Sequence, residues 1–217
     1  MGKIQIITPK QKKLLLGLSQ SKLRKSFYFT GGTVLSAYYL QHRYSDDLDF
    51  FSEGEVDFDS TLAFMEKMAK SELFTFTMQK KVVVQMFFLT YKDGSSFKVD
   101  FAYYPYRRIQ KGRNEGNVSI DSLLDIGVNK TVAVLQRSDV KDFVDYYYLE
   151  QKFGLWDLTQ GARVKFNMEL DPILFASDLL KVEDFTFMPK MIAPLTLATL
   201  KNFFRSRAKE VGKRALV

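Results

Sequence analysis

An α+β fold, a sheet-bearing N-terminal half followed by a helical lobe, is predicted by three observations. Stretches of period two fall before residue 104, and stretches of helical period dominate after Ile120. Between them lies a basic loop containing Gly and Asn, Tyr106 to Asn117, of the kind that separates two halves of a chain. The expected division is residues 1–117, an α+β core with a basic N-terminal helix, and residues 118–217, a helical lobe.

Each element has its own signal. Residues 9–25 read as a helix with Leu14, Leu15, Leu18 and Leu23 near one stripe. Phe27-Tyr28-Phe29 is a short strand that stops at Gly31-Gly32, and Thr33 to Gln41 reads as a helix starting directly after the glycines. Leu48 to Phe51 is a second strand. A helix over about Asp59–Ser71 carries Leu62, Met65, Met68 and Ala69 on one side, with Asp59 or Ser60 as its cap. Phe74, Phe76 and Met78 alternate with polar residues. The apolar run Val82–Tyr91 is predicted as a central strand, with Asp93-Gly94 turning into the alternating Phe97, Val99, Phe101 and Tyr103. Helices are then expected over 121–136, 139–152, 157–168, 173–180 and 195–209, broken by Pro172, Pro189 and Pro194.

Composition narrows the chemistry. The 217 residues include no Cys and one His, which excludes disulfides, thiolate metal sites and multi-His zinc and disfavours a Ser/His/Asp triad. No apolar run approaches a membrane span or a signal peptide, so no membrane partner and cytoplasmic residence are expected. Net charge is +7, and its distribution is uneven. The first 45 residues hold no acid, whereas Asp46–Asp59 holds seven acids and no base. An acidic spot in a basic body suits a polyanionic substrate handled at a metal centre.

The acids fall in a pattern. Asp47 and Asp49 share one face of a strand, ~7 Å apart at Cα, while Leu48 and Phe50 face the core. Asp100, between core-directed Val99 and Phe101, leaves its strand on the polar side. Acids brought together by neighbouring strands, without His or Cys, favour Mg²⁺ or Mn²⁺ as the neutralising cation. Gly31 and Gly32, between a strand and a helix, let backbone approach a phosphate, and Thr33 adds a hydroxyl donor. Together these parts suit a nucleoside triphosphate.

The run Phe29-Thr30-Gly31-Gly32-Thr33-Val34-Leu35, with His42-Arg43-Tyr44-Ser45-Asp46-Asp47-Leu48-Asp49-Phe50-Phe51, closely resembles the AbiEii/AbiGii toxin family of the nucleotidyltransferase superfamily. So do Asp125-Ile126, Lys130, Arg137 and Lys141-Asp142-Phe143-Val144-Asp145-Tyr146. The resemblance covers roughly residues 25–150. It implies a polymerase-β-like minimal nucleotidyltransferase fold and an Mg²⁺-dependent transfer of a nucleotide from an NTP to RNA, with the tRNA 3′ end as the acceptor in some members. A cognate antitoxin is implied too. It places Gly31 and Gly32 at the phosphates, Asp47 and Asp49 on the metal, Asp100 as the third acid, Lys130 at the triphosphate and Asp145 as the helical-lobe acid of the site. Gly-Gly-Thr stands where the wider superfamily has Gly-Ser.

Taken from the residues alone, other readings stand beside these. Lys130 lies roughly 200° round its helix from Val128, as a solvated Lys would. Lys141 and Asp145 are spaced as an ordinary helix ion pair. His42 and Arg43 suit a helix C-terminus, where cations are favourable, or Arg43 orients a carboxylate. Tyr103, Tyr104 and Tyr106 beside Arg107 and Arg108 are either strand-end residues and a solvated loop or a single-strand binder. For the whole chain, the alternatives are a non-catalytic RNA- or protein-binding module, or a transferase acting on a protein hydroxyl.

Overall fold

The computed structural model describes residues 4–214. The chain divides into two compact units. The first takes the chain up to Tyr39, Ser45–Arg107 and Lys111–Ser122, and the second takes Leu40–Tyr44, Arg108–Gln110 and everything from Leu123. The first unit runs past residue 117 to Ser122, because the end of the basic loop and the residues just after it add two short strands to the N-terminal sheet.

That sheet has seven strands: β1 (Tyr28–Thr30), β2 (Leu48–Ser52), β3 (Phe74–Lys80), β4 (Val84–Tyr91), β5 (Ser96–Tyr103), β6 (Asn114–Glu115) and β7 (Val118–Ile120), ordered β3-β4-β5-β2-β1-β7-β6. It is mixed. The hairpins pair antiparallel, but β2 runs parallel to β5, and β1 parallel to β7. The Asp93-Gly94 turn joins β4 to β5 as expected, with Gly94 at φ +81°.

Alternation decides what each face carries. Leu48, Phe50, Phe87, Val99 and Phe101 are buried on one face, where Phe50 stacks on Phe101 at 5.2 Å between ring centroids. Helix α1 (Pro9–Gln20) opens with a capping box between Thr8 and Gln11, and helix α3 (Phe58–Glu72) lays Phe64 against Phe101 on that face. The cap of α3 is Asp57, one turn edge earlier than Asp59 or Ser60: its carboxylate accepts the Asp59 N–H. Between β1 and β2, the helix after the glycines is a single α-turn, α2 (Gly31–Val34), that widens into a π-turn over Leu35–Leu40 and ends at Gln41 with φ 51°.

The second unit packs α4 (Leu123–Gln136), α5 (Val140–Phe153), α6 (Leu155–Phe166), α7 (Pro172–Leu179) and α8 (Leu197–Arg214). Helix α4 is its centre, buried on several sides by α5, α6 and α7. Val128 and Val132 pack with Ala162, and Phe143 and Tyr146 of α5 meet Phe204 of α8. The α5 aromatics thus build the core of this unit. No helix among the described residues is long and apolar enough to cross a membrane.

Candidate functional site

On the sheet's other face, the register lines up the expected acids. Asp49 of β2 lies directly beside Asp100 of β5 and, on its other side, beside Thr30 of β1. Gly31 follows Thr30 at φ +79°, and a Cβ there would fall 2.9 Å from Asp49 Cγ and overlap its carboxylate oxygen. Glycine is required twice over: by the backbone conformation and by the approach of Asp49. Asp47 sits two residues before Asp49 and is half-buried, while Asp46 is exposed.

The segment bearing Asp47 is held from behind. The Thr33 hydroxyl donates to the Asp47 carbonyl at 2.5 Å and lies 3.0 Å from Ser45 Oγ, while the Gln11 amide donates to the Asp46 carbonyl. Thr33 is fully buried, so it positions the acidic strand where a phosphate donor was expected. The Thr30 hydroxyl donates to Asp121 at 2.7 Å, fixing β1 just before the glycines.

Lys98 of β5 places its ammonium 2.5 Å from Asp100 Oδ2 and 3.9 Å from Asp47 Oδ2. Burial works against that charge, but the hydrogen bond to Asp100 and the nearby carboxylates outweigh it and hold the Lys98 pKa above its ordinary value. Burial also pushes the Asp100 pKa up, more than Lys98 pulls it down. Asp100 Oδ1 is buried without a hydrogen-bond partner among the described residues. Sequence reading passed over Lys98; its position two residues before Asp100, and so on the same face, was the available signal.

The acids do not close into a ready-made three-carboxylate site: among the described residues no group of three or more Asp, Glu or His side chains comes close enough to hold a metal ion. Asp100 is turned to Lys98 instead. The donor set still fits Mg²⁺, which typically takes one or two carboxylates and completes its shell with substrate phosphates and water. The unpartnered, desolvated oxygen of Asp100 is the atom such a cation would satisfy. A cavity of about 520 Å³ lies elsewhere, between α1 and α3, lined by Leu16, Gly17, Phe64 and Met68 among others, and contains none of these acids.

Lys130 and Asp145 belong to the second unit, where they meet each other. Lys130 is buried, its ammonium 2.6 Å from both Asp142 and Asp145. The expectation of a solvated Lys fails because α4 is covered on the side away from the Val128 stripe as well. Asp145 is fully buried: Arg43 donates to both of its oxygens, from Nε at 2.6 Å and Nη2 at 2.7 Å, and His42 Nε2 lies 2.7 Å from Oδ1. Burial alone would raise the Asp145 pKa, but Lys130 and Arg43 hold it well below the ordinary carboxylate range. His42 and Arg43 therefore do not close a helix; Arg43 orients a carboxylate, that of Asp145. The Lys141–Asp145 pair is replaced by these contacts, and Lys141 is exposed.

Asp125 forms a second buried pair, with Lys165 at 2.7 Å, and accepts the Ile109 and Gln110 N–H groups. Beyond β5, Tyr104 packs on Phe51 and Tyr106, as strand-end residues do.

The model of the nucleotidyl transferase AbiEii toxin family, type IV TA system, matches residues 13–209. That span extends well past the stretch of 25–150 read from motifs, taking in α1 and the helices after Lys152. An uncharacterized protein of Aquifex aeolicus (strain VF5) is 33% identical over 160 residues, 73% of this chain and 74% of that protein. The crystal structure of JHP933 from Helicobacter pylori gives a TM-score of 0.58 at 17% identity, covering 95% of this chain and 90% of that one. A second H. pylori crystal structure gives the same score and identity, covering 95% of this chain and 93% of its own. At that identity the two structures establish the fold, and the match over nearly the whole sequence establishes the kinship: the chain belongs to the nucleotidyl transferase AbiEii toxin family of type IV toxin–antitoxin systems.

Proposed function

We propose that this chain transfers a nucleoside monophosphate from an NTP to an acceptor hydroxyl of RNA, with the tRNA 3′ end as the expected acceptor and a protein antitoxin as its genetic partner. The observation that carries the reading is the Asp49–Asp100 pair in register beside a glycine turn that Asp49 itself packs against. The net positive charge of the chain supports RNA over a protein hydroxyl.

In this reading the Gly31-Gly32 backbone receives the phosphates, because glycine carries no side chain to hold them off. Asp47, Asp49 and Asp100 would hold Mg²⁺ or Mn²⁺, which when bound supplies neutralisation of the phosphate charge. Lys98, steered by Asp100 and Asp47, offers a fixed cation where negative charge develops. The acceptor oxygen bonds to the α-phosphorus, the bond from that phosphorus to the α–β bridging oxygen breaks, and pyrophosphate leaves with that oxygen. The acceptor proton passes to Asp100, the acid in register beside Asp49. Lys130 and Asp145, with Arg43, His42 and Asp142, fix α4, α5 and the 42–43 segment as one helical unit.

The test incubates the protein with Mg²⁺, total RNA and each α-labelled NTP in turn, beside an Asp49→Asn variant. Label entering RNA only with the wild type is the expected result. Label entering only protein would redirect the acceptor, and no label from any NTP would remove the transferase reading.

A further inference from the structure

The face that carries the acids continues past them, and what it carries next is apolar. On β4 the inward residues Gln85, Phe87, Leu89 and Tyr91 are buried, as the expectation of a central strand requires. The outward residues differ. Met86 is half-buried and lies directly beside Asp100 on β5 and Gln79 on β3. Phe88 is 38% exposed, with Lys98 on one side and Thr77 on the other. One row across the sheet thus reads Thr30, Asp49, Asp100, Met86, Gln79, and the next places Phe88 against the lysine that grips Asp100. A large aromatic left on an open sheet face, one strand spacing (~5 Å) from the lysine that grips Asp100, needs an occupant more than an isolated surface Phe does.

The order of strands says which occupant. The glycine turn follows β1, the acids stand on β2 and β5, and Met86 and Phe88 stand on β4. In an in-line displacement the leaving oxygen and the attacking oxygen lie on opposite sides of phosphorus. If the triphosphate rests on the Gly31 side, the acceptor arrives from the β4 side. There it meets a ring, a thioether and two cations: Lys98, and Lys81 of the β3–β4 turn, whose charge reaches Asp100. Aromatic faces next to lysines are the combination that binds single-stranded nucleic acid, base on ring and phosphate by cation.

We propose that Phe88, with Met86 beside it, seats the terminal base of a single-stranded RNA acceptor, and so presents its 3′-hydroxyl to Asp100. The site rests on the transferase reading for its purpose but not for its binding chemistry, and the experiment separates the two. A short unstructured oligouridylate RNA is titrated onto full-length wild type, Phe88→Ala, Phe88→Trp and Asp49→Asn at one fixed salt concentration. Transfer kinetics are then followed with RNA and NTP varied independently.

Phe88→Ala is expected to weaken RNA binding about tenfold or more, the range of one lost base stack. It should raise the KM for RNA to match and leave the KM for NTP unchanged. Phe88→Trp should restore binding, and Asp49→Asn should bind RNA while transferring nothing. RNA affinity unaltered in Phe88→Ala would overturn the proposal, as would a rise in the KM for NTP alone or a wild type that binds no RNA. Binding that depends on Phe88 without transfer by any variant would retain the base seat and discard the transferase reading. Transfer to a protein hydroxyl without RNA binding would do the reverse.

Discussion

Gly31 and Asp49 are packed so closely that a Cβ on residue 31 would push this carboxylate out of place. The contact fixes where Asp49 points, and the +79° φ of Gly31 fixes the turn that the contact needs. Gly31→Ala should therefore do two things. It should cost about 1–3 kcal/mol of stability through an unfavourable backbone conformation, and it should displace Asp49. Transfer should fall by about 100-fold or more, the scale of loss that follows an ångström of misplacement at a reacting centre. Thermal melts and labelling report the two effects separately; a variant of normal activity would show that Asp49 does not need this position.

Asp100 makes a prediction of opposite sign. Its folded-state pKa is raised, so ionising it disfavours the folded form, and that penalty is absent below its ordinary pKa and grows as pH rises through the folded value. Asp100→Asn should thus be more stable than wild type at neutral pH, with the gain shrinking as the pH is lowered towards 4. Added Mg²⁺ together with an NTP should stabilise the wild type and not the variant. Melting curves across that pH range, with and without both, check it. A variant less stable than wild type at neutral pH would mean that Lys98 gives Asp100 more than burial takes away.

How far the sequence reaches is visible in these same residues. Asp47, Asp49 and Asp100 were legible because strand period alone puts each on the polar face, and Gly31 because a Gly-Gly pair, weak by itself, stands in order with those acids at strand-compatible positions. Lys130 was not legible. Its surroundings come from α5 and from Arg43, which lies 102 residues from the Asp145 it grips, and no local pattern reports that α4 is covered on both sides. Phe88 was hidden by its own strand: Val82–Tyr91 reads as an apolar run, and a run cannot say which alternate residues stay uncovered. Asp57 was passed over as a cap because Asp57, Asp59 and Ser60 all suit the position, and the choice among them depends on where the backbone turns.

The Asp125–Lys165 pair offers a cleaner energetic test than the polar face. Both side chains are fully enclosed, and Asp125 also holds two backbone N–H groups of the 109–110 segment. Lys165→Met keeps the volume and strands the carboxylate, for an expected loss of about 3–5 kcal/mol. Adding Asp125→Asn should recover part of that loss, because the amide oxygen still accepts an N–H while the uncompensated charge is gone. Urea denaturation of the two singles and the double measures the coupling. Strict additivity would show that the two groups do not stabilise each other.

Asp145 carries the heaviest electrostatic load in the helical unit, with Arg43, Lys130 and His42 all directed at one carboxylate. Because its folded pKa is depressed well below the ordinary 3.8, the stability it contributes is fully present above that value. That stability is lost as pH falls through 3.8 towards the folded pKa. Asp142, lowered by Lys130 and Arg137 against the effect of burial, adds to the same loss. Asp145→Asn leaves Arg43 and Lys130 buried with one partner fewer, so it should cost about 3–5 kcal/mol at neutral pH. It should also flatten the acid limb of the stability curve, since the group that had to be protonated is no longer there. Denaturation at neutral pH and at a series of values below 4 tests both statements. Parallel acid limbs for wild type and variant would mean that the network is held by packing and not by this charge. A charge-preserving Asp145→Glu, too long for the bidentate grip of Arg43, should keep the acid limb while losing part of the neutral-pH stability, which separates geometry from charge.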